Sequence, residues 1–326
     1  MQCRLLPTLR LSILTLAVLL APGSEAFAVS EGSFERTLTV SGPLNLEVET
    51  GSGSIRVSTG GANEVRVSGH IRASNWFHSA DDEIKKLESN PPIQQSGNDI
   101  RVGHIDDPEL RRNVSISYEL VVPEATQLHS TTGSGNQQIS GIAGPLEAST
   151  GSGNTKISSI GGAVRARTGS GGIQVSGIKG AVFARAGSGS IEARDVSGGL
   201  DAETGSGQLT FQQSAPGAVR AETGSGRIEL HNLRGSLQAQ AGSGNIAADG
   251  EATGQWLVRT GSGNVELRMP QNASFDLNAH TGSGSINLNN GVTVQGSIGR
   301  KEVRGKVGRG GVPVEVQTGS GTISID

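Results

Sequence analysis

The 326-residue chain holds one cysteine, two tryptophans, one tyrosine and six phenylalanines. A lone Cys3 leaves no partner for a disulfide and no thiolate cluster for zinc. Aromatics at 3% exclude a conventional two-layer core filled by large apolar side chains. An excess of one charge is missing too. The 27 Lys and Arg face 30 Asp and Glu, a net charge of −3. A nucleic-acid binder carries a basic domain, so nucleic acid is not expected as a partner. No apolar run reaches the ~20 residues that span a bilayer.

The longest apolar run is itself informative. Leu11–Leu20 follows Arg4 and Arg10 and precedes Ala26-Phe27-Ala28. A basic start, a short apolar stretch and a small-x-small end describe a secretory signal peptide. Residues 1–28 are expected to be removed, and Cys3 with them. Residues 29–326 are then expected in the periplasm, at the cell surface or outside the cell, with no transmembrane segment remaining.

Glycine is what the chain has in plenty, at 50 residues, about twice the ordinary ~7%. The tripeptide Gly-Ser-Gly begins at Gly51, Gly133, Gly151, Gly169, Gly187, Gly205, Gly224, Gly242, Gly261, Gly282 and Gly319. From Gly133 to Gly282 the spacings are 18, 18, 18, 18, 19, 18, 19 and 21. A period of this size marks a repeat architecture. Two places after each second glycine stand Ile173, Ile191, Leu209, Ile228, Ile246, Val265 and Ile286. A polar residue follows, then Val175, Ala193, Phe211, Leu230, Ala248, Leu267 and Leu288. Apolar residues at a period of two mark strands with one face inward. A second column reads Ala148, Ala166, Ala184, Ala202, Ala221 and Ala239.

Eighteen residues cannot enclose a core, so stacked units must bury one another's inner columns. The expected fold is all-β: a single-stranded β-solenoid of ~18-residue coils, right-handed. Nine or ten coils would make a rod of roughly 45 Å. The interior is expected to be too narrow for Phe. Gly-Ser-Gly is expected to supply corners whose backbone angles need glycine, with Ser and the preceding Thr both turned inward.

Residues 29–128 are less regular and read as the start of the same solenoid. Near 79–89 a helix is expected, with Ser79 and Asp82 as a capping box and Ile84 and Leu87 on one face. Residues 129–326 form the regular repeat. Within them 296–311 is expected to loop out, and 312–326 to close the stack. The order is a strand-rich start, a helical excursion, Leu120-Val121-Val122-Pro123, then a run of Thr-Gly-Ser-Gly repeats. It resembles the bacterial "putative adhesin" family of β-strand repeats, a domain of unknown function. The resemblance covers nearly all of residues 29–326. It implies a β-solenoid of the cell envelope and supplies no catalytic motif.

Motifs of chemistry are scarce. Gly-Ser-Gly is neither a nucleophile elbow, which needs Gly-x-Ser-x-Gly before a helix, nor a dinucleotide fingerprint. Six scattered histidines show no zinc spacing, and the turns lack the Asp of calcium-binding solenoids. No metal, cofactor or catalytic residue is expected. Glu192, Glu229 and Glu266 share one outward column, and Glu203 and Glu222 lie one coil apart. A stacked ladder brings outward acids to glycosidase-like distances automatically.

Two basic groups remain as candidate interaction faces. Arg165, Arg167, Arg185 and Arg220 lie outward on the second strand of neighbouring coils, beside Asp201, Glu203 and Glu222. Arg300, Lys301, Arg304, Lys306 and Arg309 crowd the expected loop against Glu302 alone. The partners expected are an envelope protein or an anionic polysaccharide. The chain reads as a non-catalytic, adhesin-like binding or scaffold module. A periplasmic accessory protein that docks an envelope-stress signalling partner is the alternative, and a polysaccharide-acting enzyme the weaker one.

Overall fold

The computed structural model describes residues 29–74, 80–288 and 293–326. The proposed export segment, Cys3, His78 and Ser79 lie outside them. The first part of the chain holds β1 (Val29–Thr39), β2 (Leu44–Thr50), β3 (Ile55–Thr59), β4 (Glu64–Ser74) and α1 (Ala80–Ser89). There follow β5 (Ile93–Ser96), β6 (Asp99–Val102), the short α2 (Pro108–Asn113) and β7 (Val114–Val122). Eight regular coils come next, two strands to each. They run β8 (Thr126–Thr132) with β9 (Gln137–Ser140), β10 (Leu146–Thr150) with β11 (Thr155–Ile160), and β12 (Val164–Thr168) with β13 (Ile173–Ile178). Then come β14 (Val182–Ala186) with β15 (Ile191–Val196), β16 (Leu200–Thr204) with β17 (Leu209–Gln213), and β18 (Val219–Thr223) with β19 (Ile228–Arg234). The last two are β20 (Leu237–Ser243) with β21 (Ile246–Glu251) and β22 (Trp256–Ser262) with β23 (Val265–Arg268). The chain continues through β24 (Phe275–Ser283), β25 (Ile286–Leu288), β26 (Val294–Ile298), β27 (Glu302–Val307), β28 (Val312–Ser320) and β29 (Ile323–Ile325).

From β6 to β25, alternate strands of the chain go to opposite walls. Among the described residues, sheet I has fourteen strands and sheet II fifteen, and the core lies between them. Setting aside the antiparallel β1 and β4 of sheet I, and β5, β26 and β27 of sheet II, each wall keeps twelve parallel strands. The molecule is therefore a two-walled β-solenoid of twelve coils, more than the nine or ten expected. At ~4.8 Å per coil the stack is roughly 50 Å long.

At most corners the glycines work differently from the expectation. Thr150 is buried, Gly151 and Ser152 are exposed, and Gly153 is buried. Ser faces water, because two consecutive outward residues at the bend shift the inward parity to the second glycine. A Cβ on that glycine would lie 1.8 Å from the Gly135 carbonyl oxygen of the preceding coil. At Gly207 the same approach is 2.0 Å, to Gly189, and no left-handed backbone is involved. Close stacking of backbones, not φ, excludes a side chain there. The threonine is the true inward hydroxyl. Thr204 Oγ1 accepts from the Gly207 N–H at 3.1 Å and donates to the Gly189 carbonyl at 2.8 Å. Thr132, Thr150 and Thr168 repeat both bonds. Each threonine thereby satisfies one buried donor and one buried acceptor, groups costing about 1–3 kcal/mol if left unpaired.

Positive φ does occur, as expected, at the second glycine of three later corners, Gly263 (φ 155°), Gly284 (φ 151°) and Gly321 (φ 153°), and also on sheet I just before the second corner. Ser159 (φ 57°), Gly177 (φ 65°) and Asp195 (φ 54°) stack in consecutive coils. Each is an inserted residue that lets Ile160, Ile178 and Val196 turn inward out of strict alternation.

Aromatics do enter the core. Phe211, Trp256 and Phe275 are fully buried, contrary to the expectation of a bore too narrow for them. Phe211 has Ala193 beside it in the neighbouring coil, which leaves the space. The Trp256 indole N–H donates to the Gly235 carbonyl at 3.0 Å, so its burial strands no donor.

At both ends the order of stacking departs from the order of the chain. Coil β2/β3 lies between β6/β7 and β8/β9. Coil β28/β29 lies between β22/β23 and β24/β25. Residues 312–326 thus form the penultimate layer and do not close the stack. Residues 296–311 are no loop: most of them form the antiparallel hairpin β26–β27, which extends sheet II beyond β24. At the opposite end β1 and β4 extend sheet I, and α1 packs on them through buried Ile84 and Leu87.

Candidate interaction face

Sheet II places the first group of candidate arginines on one outer face. Arg165 and Arg167 leave β12, Arg185 leaves β14 and Arg220 leaves β18. Their registers follow the period. Arg185 stands opposite Glu203 and Arg220 opposite Asp201. Three of the four are ion-paired. Arg167 meets Glu147 at 2.7 Å, and Arg185 meets Asp201 at 2.9 Å and Glu203 at 3.2 Å. Arg220 takes Glu222 of its own strand at 2.9 Å rather than Asp201. That hydrogen-bonded carboxylate raises the Arg220 pKa above its ordinary value. Arg165 has no carboxylate partner among the described residues. Its guanidinium lies 5.3 Å from the centre of the Phe183 ring, within cation–π range.

The same face carries a groove of about 990 Å³ that the sequence did not disclose. It crosses β6, β2, β8, β10, β12 and β14, a span of about 24 Å at the strand spacing. Gln94, Gln95 and Ser96 of β5 line one end, and Arg165 with Phe183 the other. Two of its charged contacts close within it. Arg101 meets Glu47 at 3.2 Å, and His129 lies 3.6 Å from Glu147. Further along the sheet a second hollow of about 820 Å³ runs past Glu203, Glu222, Gln240 and Arg259.

Periodicity alone could not reveal this groove, because half of it belongs to strands outside the regular repeat. Asn45, Glu47 and Arg101 reach the face only because β2 and β6 join sheet II beside β8. The signal lay in the alternation of 44–50 and 99–102; their register did not.

The second basic group does not meet the first. It sits on the hairpin at the far end of sheet II. Arg304 pairs with Glu302 at 3.2 Å and donates to Asn278 at 3.3 Å. Lys301 donates to the Gly282 carbonyl at 3.1 Å. Arg300 stands in the hairpin turn and Lys306 on β27, while Arg309 follows β27. Arg300, Lys301, Arg304 and Lys306 are carried by a paired hairpin, and Arg309 just beyond it, not by the loop expected.

The carboxylates also lie as the columns imply. Glu192, Glu229 and Glu266 alternate with Thr210 and Ala247 across sheet I. Each pairs with an arginine two residues away, Arg194, Arg227 and Arg268 respectively. Glu203 and Glu222 are neighbours in register and are held by Arg185 and Arg220. Among the described residues, no three His, Cys, Asp or Glu side chains converge on a metal position. His104 has a displaced pKa. A 2.7 Å contact to Glu49, with Asp106 beyond, raises it above 6.5.

Parallel walls, glycine-stacked corners and a grooved polar face define a repeat protein of the two-walled β-solenoid class. The chain belongs to the family described as Toastrack DUF4097, which residues 44–326 match. Two solved structures are similar to it. One is a "putative cell adhesion protein" from Clostridium sporogenes ATCC 15579, 14% identical, covering 90% of this chain and 99% of that one, with a TM-score of 0.19. The other is a "putative adhesin" from Bacteroides fragilis NCTC 9343, 11% identical, covering 91% and 98%, with a TM-score of 0.35. No curated protein matches the chain. Among the described residues, no helix is long and apolar enough to cross a membrane.

Proposed function

We propose that the protein is an exported, non-catalytic binding or scaffold module of the cell envelope, adhesin-like in action, whose contact surface is the outer face of sheet II. One observation carries this reading. A groove of about 990 Å³ crosses six rigidly paired strands and is floored by side chains that the backbone ladder holds in fixed register. Sites built on strands hold their geometry better than sites on loops. The ion-paired acids of both faces favour binding over catalysis. The β26–β27 hairpin adds a second, electrostatic contact. Its five cations, Arg300, Lys301, Arg304, Lys306 and Arg309, exceed Glu302 by four charges, a surface suited to an anionic envelope polymer.

The test compares the two walls. Purified residues 29–326 are incubated with isolated envelopes of the producing cell and pelleted. Arg165→Glu, Arg167→Glu and Arg185→Glu together should abolish retention while circular dichroism still reports strands. Glu192→Gln, Glu229→Gln and Glu266→Gln together should leave it intact. Retention that survives the arginine reversals, or envelope glycan hydrolysed by the wild type, would refute the proposal.

A further inference from the structure

We infer that the groove across β6, β2, β8, β10, β12 and β14 binds an uncharged oligosaccharide lying along the stack axis. The inference rests on the reading of sheet II as the contact face and names the chemistry of its ligand. Charge is the first argument. The lining has three carboxylates, Glu47, Asp99 and Glu147, against two guanidiniums, Arg101 and Arg165. Arg101 is already matched by Glu47. Arg167, just outside the lining, holds Glu147 at 2.7 Å, so acids and guanidiniums balance; a polyanion finds no net positive charge here, and a polycation would have to break existing pairs.

Hydrogen-bonding capacity is the second. Four amides line the groove: Asn45, Gln94, Gln95 and Gln127. Asn45 donates to Asp99 at 3.0 Å, and Gln95 donates to the carbonyls of Thr39 and Gly97, both at 2.9 Å. Gln94 and Gln127 make no side-chain hydrogen bond among the described residues. Each offers both donors and acceptors, the combination that hydroxyl groups require. At the end of the groove the Arg165 guanidinium stacked by Phe183 adds N–H donors beside an apolar ring. That pairing suits a sugar, which shows hydroxyls at its rim and C–H bonds on its face.

Backbone saturation is the third. The floor strands lie in the interior of sheet II, each paired on both sides, in parallel throughout except where β6 meets the antiparallel β5. An extended peptide binds a sheet through free backbone groups at an edge, and the floor has none to give. The volume of about 990 Å³ stands at the upper end of the ~300–1,000 Å³ of small-molecule sites.

The experiment is binding of fluorescently labelled residues 29–326 to an oligosaccharide array. The array carries neutral hexose and N-acetylhexosamine chains beside their uronic-acid and phosphate-bearing counterparts. Wild type should bind neutral chains. Gln127→Leu and Phe183→Ala should each weaken that binding by about tenfold or more, the size of one lost polar or stacking contact. Both side chains stand on the outer face, so melting temperature serves as the fold control. Failure to bind any neutral chain overturns the inference, and so does neutral binding that both variants leave unchanged. Binding confined to acidic chains and lost in the Arg165→Glu, Arg167→Glu, Arg185→Glu protein also overturns it, while leaving sheet II as the contact face.

Discussion

The middle of the stack and its two ends solve the same problem by different means. From β8 to β23, each coil lies on its neighbour in the chain, and one Thr–Gly unit recurs at the corner. At the ends, coils from distant parts of the chain interleave and antiparallel strands appear. Phe34 meets Tyr118 edge-on with ring centres 6.4 Å apart. Burial holds the Tyr118 hydroxyl far above the usual phenol range. An interior coil finds the next ladder on both sides, whereas a terminal coil would leave a row of unpaired amides and carbonyls. Extra strands, α1 and the β26–β27 hairpin occupy those positions. Repetition therefore specifies the middle, and capping specifies the ends.

The sharpest way to break this comparison is to test the stacking order at the C-terminal end. Glu315 stands in register with Leu257 on one side and Asn278 on the other. Residues 29–326 contain no cysteine. Leu257→Cys with Glu315→Cys should oxidise to a disulfide, since neighbouring strands bring their Cα atoms within the ~4.4–6.8 Å that bridging needs. Leu257→Cys with Asn278→Cys should not, because two strand spacings separate them. The opposite result on a non-reducing gel would restore a stack in chain order.

The next effect concerns the middle. Gly207→Val would drive a side chain into the Gly189 carbonyl 2.0 Å from its Cβ, backbone that cannot yield without unstacking two coils. A loss of about 3 kcal/mol or more is expected. Outward Thr210→Val on the following strand should cost under ~0.5 kcal/mol. Equal urea midpoints for the two proteins would show that coils do not stack through their glycines.

Much of this was legible in the sequence. The inward columns, the strand alternation and the registers of Arg185 with Glu203 and of Glu203 with Glu222 follow from the period, because parallel in-register stacking turns sequence spacing directly into spatial adjacency. What the period could not reveal was whatever breaks it. The parity shift at Gly-Ser-Gly turns on one additional outward residue, and only coordinates show that Ser152 faces water. Residues 296–311 read as a loop because their strands pair antiparallel and outside the ladder. The groove stayed hidden because β2 and β6 lie at the irregular end. Phe183 stood in the outward column all along, as the single aromatic among charged neighbours.

The smallest effect sharpens the contrast through pH. In the middle, the corner joints are made by backbone and threonine hydroxyl groups that do not titrate. At the N-terminal end His104, just after β6, reaches Glu49 of β2 in the next coil. The raised folded-state pKa means that His104 binds its proton more tightly folded than unfolded. Its contribution is fully present below pH 6.5 and fades as pH rises through the folded value. NMR titration should place His104 above 6.5, and Glu49→Gln should lower it. An unchanged titration in that variant would remove the contact from the account.

The interleaved coil near the C-terminus also bears on when this molecule can be finished. Strands β24 to β27 precede β28 and β29 in the chain, yet their place is above them. Thr281 donates to the Gly321 carbonyl, and Thr318 to that of Gly263. A polypeptide leaving a ribosome or an export channel amino end first delivers the outer layer before the layer it rests on. The regular coils can zip up in order of synthesis; this end cannot. Until β28 and β29 arrive, β22/β23 and β24/β25 present matching Thr-Gly-Ser-Gly edges to one another. Completion of the fold is thus an insertion between two layers rather than the addition of a last one.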